Sequence, residues 1–325
     1  MKNKTLLTLC AASMLLSVNA MAQKTWDTGA ASVSTGDAPY SVTIDDNYTG
    51  SDAINVPGDP IVVNEISYNR NFSANVPSTI VLPFTLPEGT TINNAKFYEL
   101  DYVIPDLRNE NKTWLARMKR ISGLPQANTP YAVIMTESGK MVFNLNGQNA
   151  SFKTTSIAQV SNSNYNTSDY KPADIDYPVT DNSGDWYLTG TYKNEEWSAG
   201  DEESSLCYGF SATNGSGVIK GQFGRFKTNG GTTSKPMRSY LCKTSSSVRL
   251  PLAKQSANGA TMFSLPESIN VEFVDTDASG KEHTTYVGKL NRIDNVRLNR
   301  ERSTFDLKGR NVNSNNTAKG VYFKK

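Results

Sequence analysis

The sequence predicts an all-β chain: antiparallel sheets forming a sandwich, followed by a small C-terminal β-module. Three observations carry this. From Asp185 to Lys243 four short runs, D-W-Y-L-T-G-T-Y, C-Y-G-F-S-A-T, G-Q-F-G-R-F-K-T and K-P-M-R-S-Y-L-C-K, are dense in aromatics and small residues. Acidic, Gly-rich or Asn-Gly turns separate them. Side chains of a strand alternate between faces, so Trp186, Leu188 and Gly190 share one side and Tyr187, Thr189 and Thr191 the other. Upstream, β-branched runs such as I-V-V-N-E-I-S-Y and P-S-T-I-V-L-P-F suit core strands. Finally, apolar content is modest while Ser, Thr, Asn, Gly and Tyr abound, which fits a β-protein better than a helical bundle.

The chain opens on M-K-N-K, a short apolar run and A-M-A, the pattern of a secretory signal peptide over residues 1–22, with cleavage after Ala22. Cys10 lies inside the apolar run, behind Leu9 rather than a small residue, which does not fit a lipidation site. No later stretch has the apolar length of a membrane-spanning helix. A net charge of +2 argues against nucleic acid as a partner. Residues 23–60 read as short strands with Gly and Pro punctuation.

A main domain follows over 61–247. Pro83 has no backbone N–H to give a ladder, so its strand ends there or lies at an edge. A-K-F-Y-E-L-D-Y-V-I and T-W-L-A-R-M-K-R-I-S form a hairpin across a polar loop. The second of these could be helical by propensity, but its length and neighbours favour a strand. T-P-Y-A-V-I-M and M-V-F-N-L-N-G flank the turn residues Glu137 to Lys140. Residues 154–184 are polar and irregular, a long loop. A linker by composition spans 248–261. S-I-N-V-E-F-V and T-T-Y-V-G-K-L then make a hairpin module over 262–302, and 303–325 close the chain.

Signals for chemistry are sparse. Past the leader two cysteines remain, Cys207 and Cys242, and an even count in an oxidising compartment favours a disulfide over two buried thiols. Asp275, Asp277, Ser279 and Gly280 resemble the start of a calcium loop, but Tyr286 stands where its bidentate Glu belongs. A hairpin turn explains the same residues. The one histidine, His283, has no G-x-S-x-G serine to serve. Neither a metal nor a cofactor is implied. Glu195, Glu196, Asp201, Glu202 and Glu203 offer the paired carboxylates that a glycosidase needs, yet a cluster in one polar loop reads first as a solvated face. Of Trp26, Trp114, Trp186 and Trp197, the second and third belong to core strands. Trp197, in the acidic loop with Glu195 and Glu196, is the one placed for exposure and for stacking on a ligand.

The C-terminal stretch S-T-F-D-L-K-G-R-N-V-N-S-N-N-T-A-K-G-V-Y-F-K-K carries a further pattern. Strand, D-L-x-G-R turn, strand, polar spacer and K-G-x-Y strand resemble the C-terminal sorting domains of the type nine secretion system of Gram-negative anaerobes. Phe305, Asp306, Leu307, Gly309, Arg310, Val312, Gly320, Val321 and Tyr322 carry the match. P-S-T-I-V-L-P-F, N-T-P-Y-A-V, W-Y-L-T-G-T-Y, Y-G-F and K-P-M-R-S-Y-L, in that order, resemble secreted and surface β-proteins of such organisms in gut and rumen communities. The resemblance implies export, and a partner in the export or surface-attachment machinery that engages the C-terminus. Independently, the stretch from Lys289 onward holds ten Lys or Arg against Asp294, Glu301 and Asp306, a bias that suits acidic polysaccharide or plain solvation. The expected function is that of a non-catalytic secreted or cell-surface protein for adhesion, matrix or glycan contact. The alternatives are a carbohydrate-active hydrolase using the acids of 195–203, or a scaffold without ligand.

Overall fold

A computed structural model describes residues 25–34, 36–106, 113–152, 156–161, 186–201, 205–211, 213–214, 218–227, 229–244, 265–287, 304–305 and 311–312. The chain is all-β, and its strands fall into two large mixed sheets and two small pairs.

The first large sheet begins with β1 (Thr25–Thr28), β2 (Ala31–Ser34) and β3 (Tyr40–Ile44). It continues through β4 (Ile61–Phe72) and is completed by β6 (Thr91–Ile92) and β10 (Gly139–Ala150), in the order β1-β2-β3-β4-β10-β6. The second curls into a half-barrel. One flank holds β5 (Pro77–Val81), β7 (Ala95–Asp106), β8 (Thr113–Arg120) and β9 (Pro130–Met135). The other holds β11 (Val160–Ser161), β12 (Trp186–Thr191), β14 (Cys207–Phe210), β15 (Phe223–Arg225) and β17 (Arg238–Lys243). β18 (Ser268–Thr276), with β19 (Glu282–Val287) on it, joins the flanks, giving β11-β12-β17-β14-β15-β18-β8-β7-β9-β5. A pair of β13 (Glu195–Trp197) and β16 (Thr232–Ser234), separated in the chain by β14 and β15, stands apart, as does a pair of β20 (Thr304–Phe305) and β21 (Asn311–Val312).

Two cores follow from strand alternation. Phe97, Tyr131, Val133 and Met135 pack with Ile66, Tyr68 and Phe143 between the two sheets. Their neighbours in sequence, Tyr98, Ala132 and Ile134, face the inside of the half-barrel with Trp114, Trp186, Tyr208, Leu241 and Phe273. β9 is therefore buried on both faces along its whole length, which is why P-Y-A-V-I-M shows no polar alternation.

The expected sandwich needs two corrections. The sheets are mixed, because β3 pairs parallel with β4 and β18 pairs parallel with β8. Parallel neighbours need long crossover connections, and alternation within a strand says nothing about which distant strand lies beside it. Nor is the 262–302 hairpin a module of its own: β18 bridges β15 and β8, and Ile269, Val271 and Phe273 enter the half-barrel core. Likewise 23–60 is continuous with the first sheet through β3. Pro83 behaves as expected, since β5 ends at Val81 and forms the sheet's edge. Most of the 154–184 loop and all of the 248–261 linker lie outside the described residues, as does the 1–22 leader.

Cys207 and Cys242 sit opposite each other on β14 and β17, Cα atoms 4.1 Å apart, and form the disulfide. They close a loop with a sequence separation of 35. By chain entropy such a crosslink stabilises by roughly 3–4 kcal/mol.

Candidate functional site

The half-barrel closes toward its own edge where β5 approaches β17. Val81 N–H donates to Met237 O at 3.2 Å. Thr79 Oγ1 donates to Ser239 O at 2.8 Å and accepts from Ser239 N–H at 3.2 Å, while Ser239 Oγ donates to Ile80 O at 2.9 Å. Gly190, opposite Ser239 on β12, makes the approach possible. A Cβ there would lie 2.5 Å from Arg238 O and 2.6 Å from a methyl of Val81, inside any real contact distance.

The corner K-P-M-R enters β17 at this seam. Met237 has a φ of 59°, a left-handed conformation that bulky residues rarely hold. It is kept there by its N–H bond to Thr191 O at 2.8 Å and by its side chain, buried in the core between the sheets. Such strain persists only where the surroundings over-determine it. Its effect is to fix Lys235 and Arg238 on either side of the bend.

Behind Arg238 lies a charge cluster. Asp46, 1% exposed, is 3.1 Å from Arg70 Nη1 and 3.1 Å from Arg238 Nη2. Neither guanidinium aligns an N–H with the carboxylate, so these are ion pairs without good hydrogen bonds. Both guanidinium groups instead donate to Ser78 Oγ, at 3.1 Å from Arg70 and 3.3 Å from Arg238. Arg70 also lies over the Phe72 ring, 3.8 Å from its centroid. Burial pushes the Asp46 carboxyl above the usual range against the pull of Arg238 and Lys235. Burial also pushes the Arg238 guanidinium below its usual range. Lys235 Nζ donates to Asn47 Oδ1 at 2.7 Å.

In front of this cluster a cleft of about 230 Å³ opens between β5, β14, β17 and the β13–β16 strand pair. Ser78, Thr79, Thr233, Ser234 and Ser239 supply hydroxyls, Lys235 and Arg238 supply charge, and Phe210, Phe226, Tyr240 and Gly209 complete the wall. Among the described residues no Asp, Glu, His or Cys lines it. Gly209 leaves room for the Phe226 ring, which would come within 3.1 Å of a Cβ.

Trp197 does not stand in solvent as expected. It is 4% exposed and packs on Phe226 at 4.5 Å and Tyr240 at 5.2 Å, in one cluster with the disulfide. The third position of the E-E-W strand points inward, so Trp197 anchors the strand pair that borders the cleft. Glu195 is half-buried, 3.6 Å from Lys193 Nζ, and Glu196 faces solvent. Asp201 Oδ2 accepts from Ser198 N–H at 2.6 Å, the local bond of a turn. None of these three acids lines the cleft, and Glu202 and Glu203 lie outside the described residues.

Comparison with protein-family models, with curated proteins and with solved structures finds no match to this chain.

The remaining sequence candidates resolve as follows. Asp277 Oδ1 accepts from Ser279 N–H at 2.9 Å, Ser279 Oγ at 2.6 Å and Lys281 N–H at 3.0 Å, and Oδ2 meets His283 Nε2 at 2.8 Å. These bonds hold the Asp277 carboxyl well below the usual range and account for the calcium-like spelling as a turn. Among the described residues no three His, Cys, Asp or Glu converge as a metal site. No described helix is long and apolar enough to cross a membrane. Trp114 and Trp186 are core, as expected. In the tail, β20 and β21 pair antiparallel around 306–310. Phe305 contributes backbone to that pair, while Asp306, Leu307, Gly309, Arg310, Gly320 and Tyr322 lie outside the described residues.

Sequence reasoning missed Asp46, Arg70 and Arg238 because they come from three distant strands or strand ends. Arg70 sits between Asn69 and Asn71 near the polar end of β4 and Arg238 opens β17 beside Ser239, so neither stands out locally as a charge that needs a buried partner.

Proposed function

We propose that the chain is a non-catalytic, exported β-protein that makes glycan contact at a cell surface or in a matrix, through the cleft beside Arg238. The observation that supports this most is the composition of the cleft wall. Hydroxyls and cationic groups stand beside half-buried rings, Phe210 and Tyr240, and among the described residues no carboxylate joins the lining as acid or nucleophile. Sugars present hydroxyls at their edges and apolar C–H faces, and a wall of this composition answers both. The hydrolase reading has no comparable support among the described residues, because Glu195, Glu196 and Asp201 are outside the cleft lining.

Export is supported by the leader pattern, by a disulfide suited to an oxidising compartment, and by the resemblance of 303–325 to a sorting domain. Glycan contact is tested with the chain from Gln23 onward on a glycan array. Saturable binding that weakens in Phe210→Ala is expected, and absence of saturable binding to any glycan sinks the reading. Export is tested by deleting 303–325. The truncated chain should keep its thermal transition and accumulate in the periplasm, and normal arrival at the surface would show that the tail is no sorting signal.

A further inference from the structure

We infer that the saccharide taken by this cleft is acidic, a uronic acid unit whose carboxylate is received between Arg238 and Lys235. The inference rests on the glycan-contact reading and narrows it to one charge class.

The first ground is a local excess of positive charge. Arg70, Arg238 and Lys235 gather around a single carboxylate, Asp46. Asp46 is shared between two arginines, neither of which hydrogen-bonds it well. Lys235 reaches only the neutral Asn47 side chain, and no carboxylate lies within ion-pair distance of it among the described residues. Two positive charges are thus left over at the corner of a partly dry cleft, where the effective dielectric is low and an incoming anion is attracted more strongly than in water.

The second ground is preorganisation. Arg238 is fixed by Asp46 behind and Ser78 beside, so little side-chain freedom remains to be lost on binding. A guanidinium has five N–H donors, which leaves several for a ligand beyond those turned to Ser78 and Asp46. Ser78 Oγ already accepts from both arginines, so its own proton is free to be donated outward. The left-handed Met237 holds the bend that sets Arg238 and Lys235 on the same opening.

The third ground is size and surface. The volume of about 230 Å³ is less than the roughly 300–1,000 Å³ that encloses a drug-sized ligand. It suits one sugar unit of a longer chain, with the half-buried Phe210 ring against its C–H face. A free inorganic anion would leave the aromatic wall unused.

The test is calorimetric titration of the chain from Gln23 onward at low ionic strength with three probes. These are an oligogalacturonate, the same oligosaccharide with its carboxyls methyl-esterified, and sodium acetate. Binding of the acid form at least tenfold tighter than the ester, weakening as salt is added, is the expected result. Lys235→Ala, at an exposed position, should weaken the acid form about tenfold and narrow the gap between acid and ester. Arg238→Lys should weaken it too, since a point charge replaces the fork. Equal binding of acid and ester overturns the inference and leaves glycan contact standing. Acetate competing on equal terms with the oligogalacturonate also overturns it, by making the corner a plain anion site. Binding of neither saccharide overturns the inference, and the glycan reading falls with it only where the glycan array is blank as well.

Discussion

Trp186→Ala is expected to destabilise the protein by about 3–5 kcal/mol, the usual cost of truncating a fully buried aromatic. Trp186 has no exposed surface and stands at the centre of the half-barrel, 5.5 Å from the Trp114 ring and 5.6 Å from Tyr208. Lys243 Nζ, on a buried side chain, lies 5.5 Å from its ring centroid, so the indole face also shelters a cation. Removal would leave a cavity lined by strands from both flanks of the sheet, which cannot all move in to fill it. Trp186→Phe should cost much less. The indole Nε1 is buried without a hydrogen-bond partner, so a phenyl ring keeps the packing and gives up no bond. Urea unfolding of the two variants measures this directly. Equal losses for Ala and Phe would show that the nitrogen, not the ring, matters.

Much of this core was legible in the sequence because it is written in alternation. Trp186 and Leu188 share a face on β12, Trp114 and Ala116 on β8, and each pair enters the half-barrel as the period of two requires. The disulfide was legible for another reason, as the two cysteines that follow the leader-like pattern have only each other to pair with. What alternation cannot carry is the order of strands. Nothing local in S-I-N-V-E-F-V states that β18 will lie parallel to β8, far upstream. Trp197 shows a subtler limit. Two glutamates before it and a Gly-Asp turn after it gave the segment a polar look, yet within the E-E-W strand only Glu196 is exposed, and the strand buries its last side chain against the disulfide. The charge cluster was the least legible part. D-D-N-Y after β3 and K-P-M-R before β17 read as ordinary polar turns until the seam between β5 and β17 places them together.

That cluster yields the second large effect. Asp46→Ala is expected to cost about 3–5 kcal/mol, although the ion pairs it breaks contribute little net stability themselves. The loss comes from what remains. Arg70 and Arg238, whose side chains are 14% and 24% exposed, would be left beside each other and near Lys235 with no carboxylate. Burial already disfavours the charged form of Arg238, so removal of its counter-ion exposes the full desolvation penalty. Arg238→Met alone should cost less, because Asp46 keeps Arg70 and because burial already eases its carboxyl toward the neutral form. In the Arg238→Met background, Asp46→Ala should then cost less than in the wild type, with a coupling of about 1–3 kcal/mol in a double-mutant cycle. Strict additivity would mean that Asp46 acts by packing alone. The same variant separates stability from binding: Asp46→Ala raises the net positive charge behind the cleft but releases Arg238 from one side, so any of it that stays folded should hold an oligogalacturonate more weakly. Unchanged or tighter binding in folded Asp46→Ala would instead show that charge alone, and not the holding of Arg238, sets the affinity.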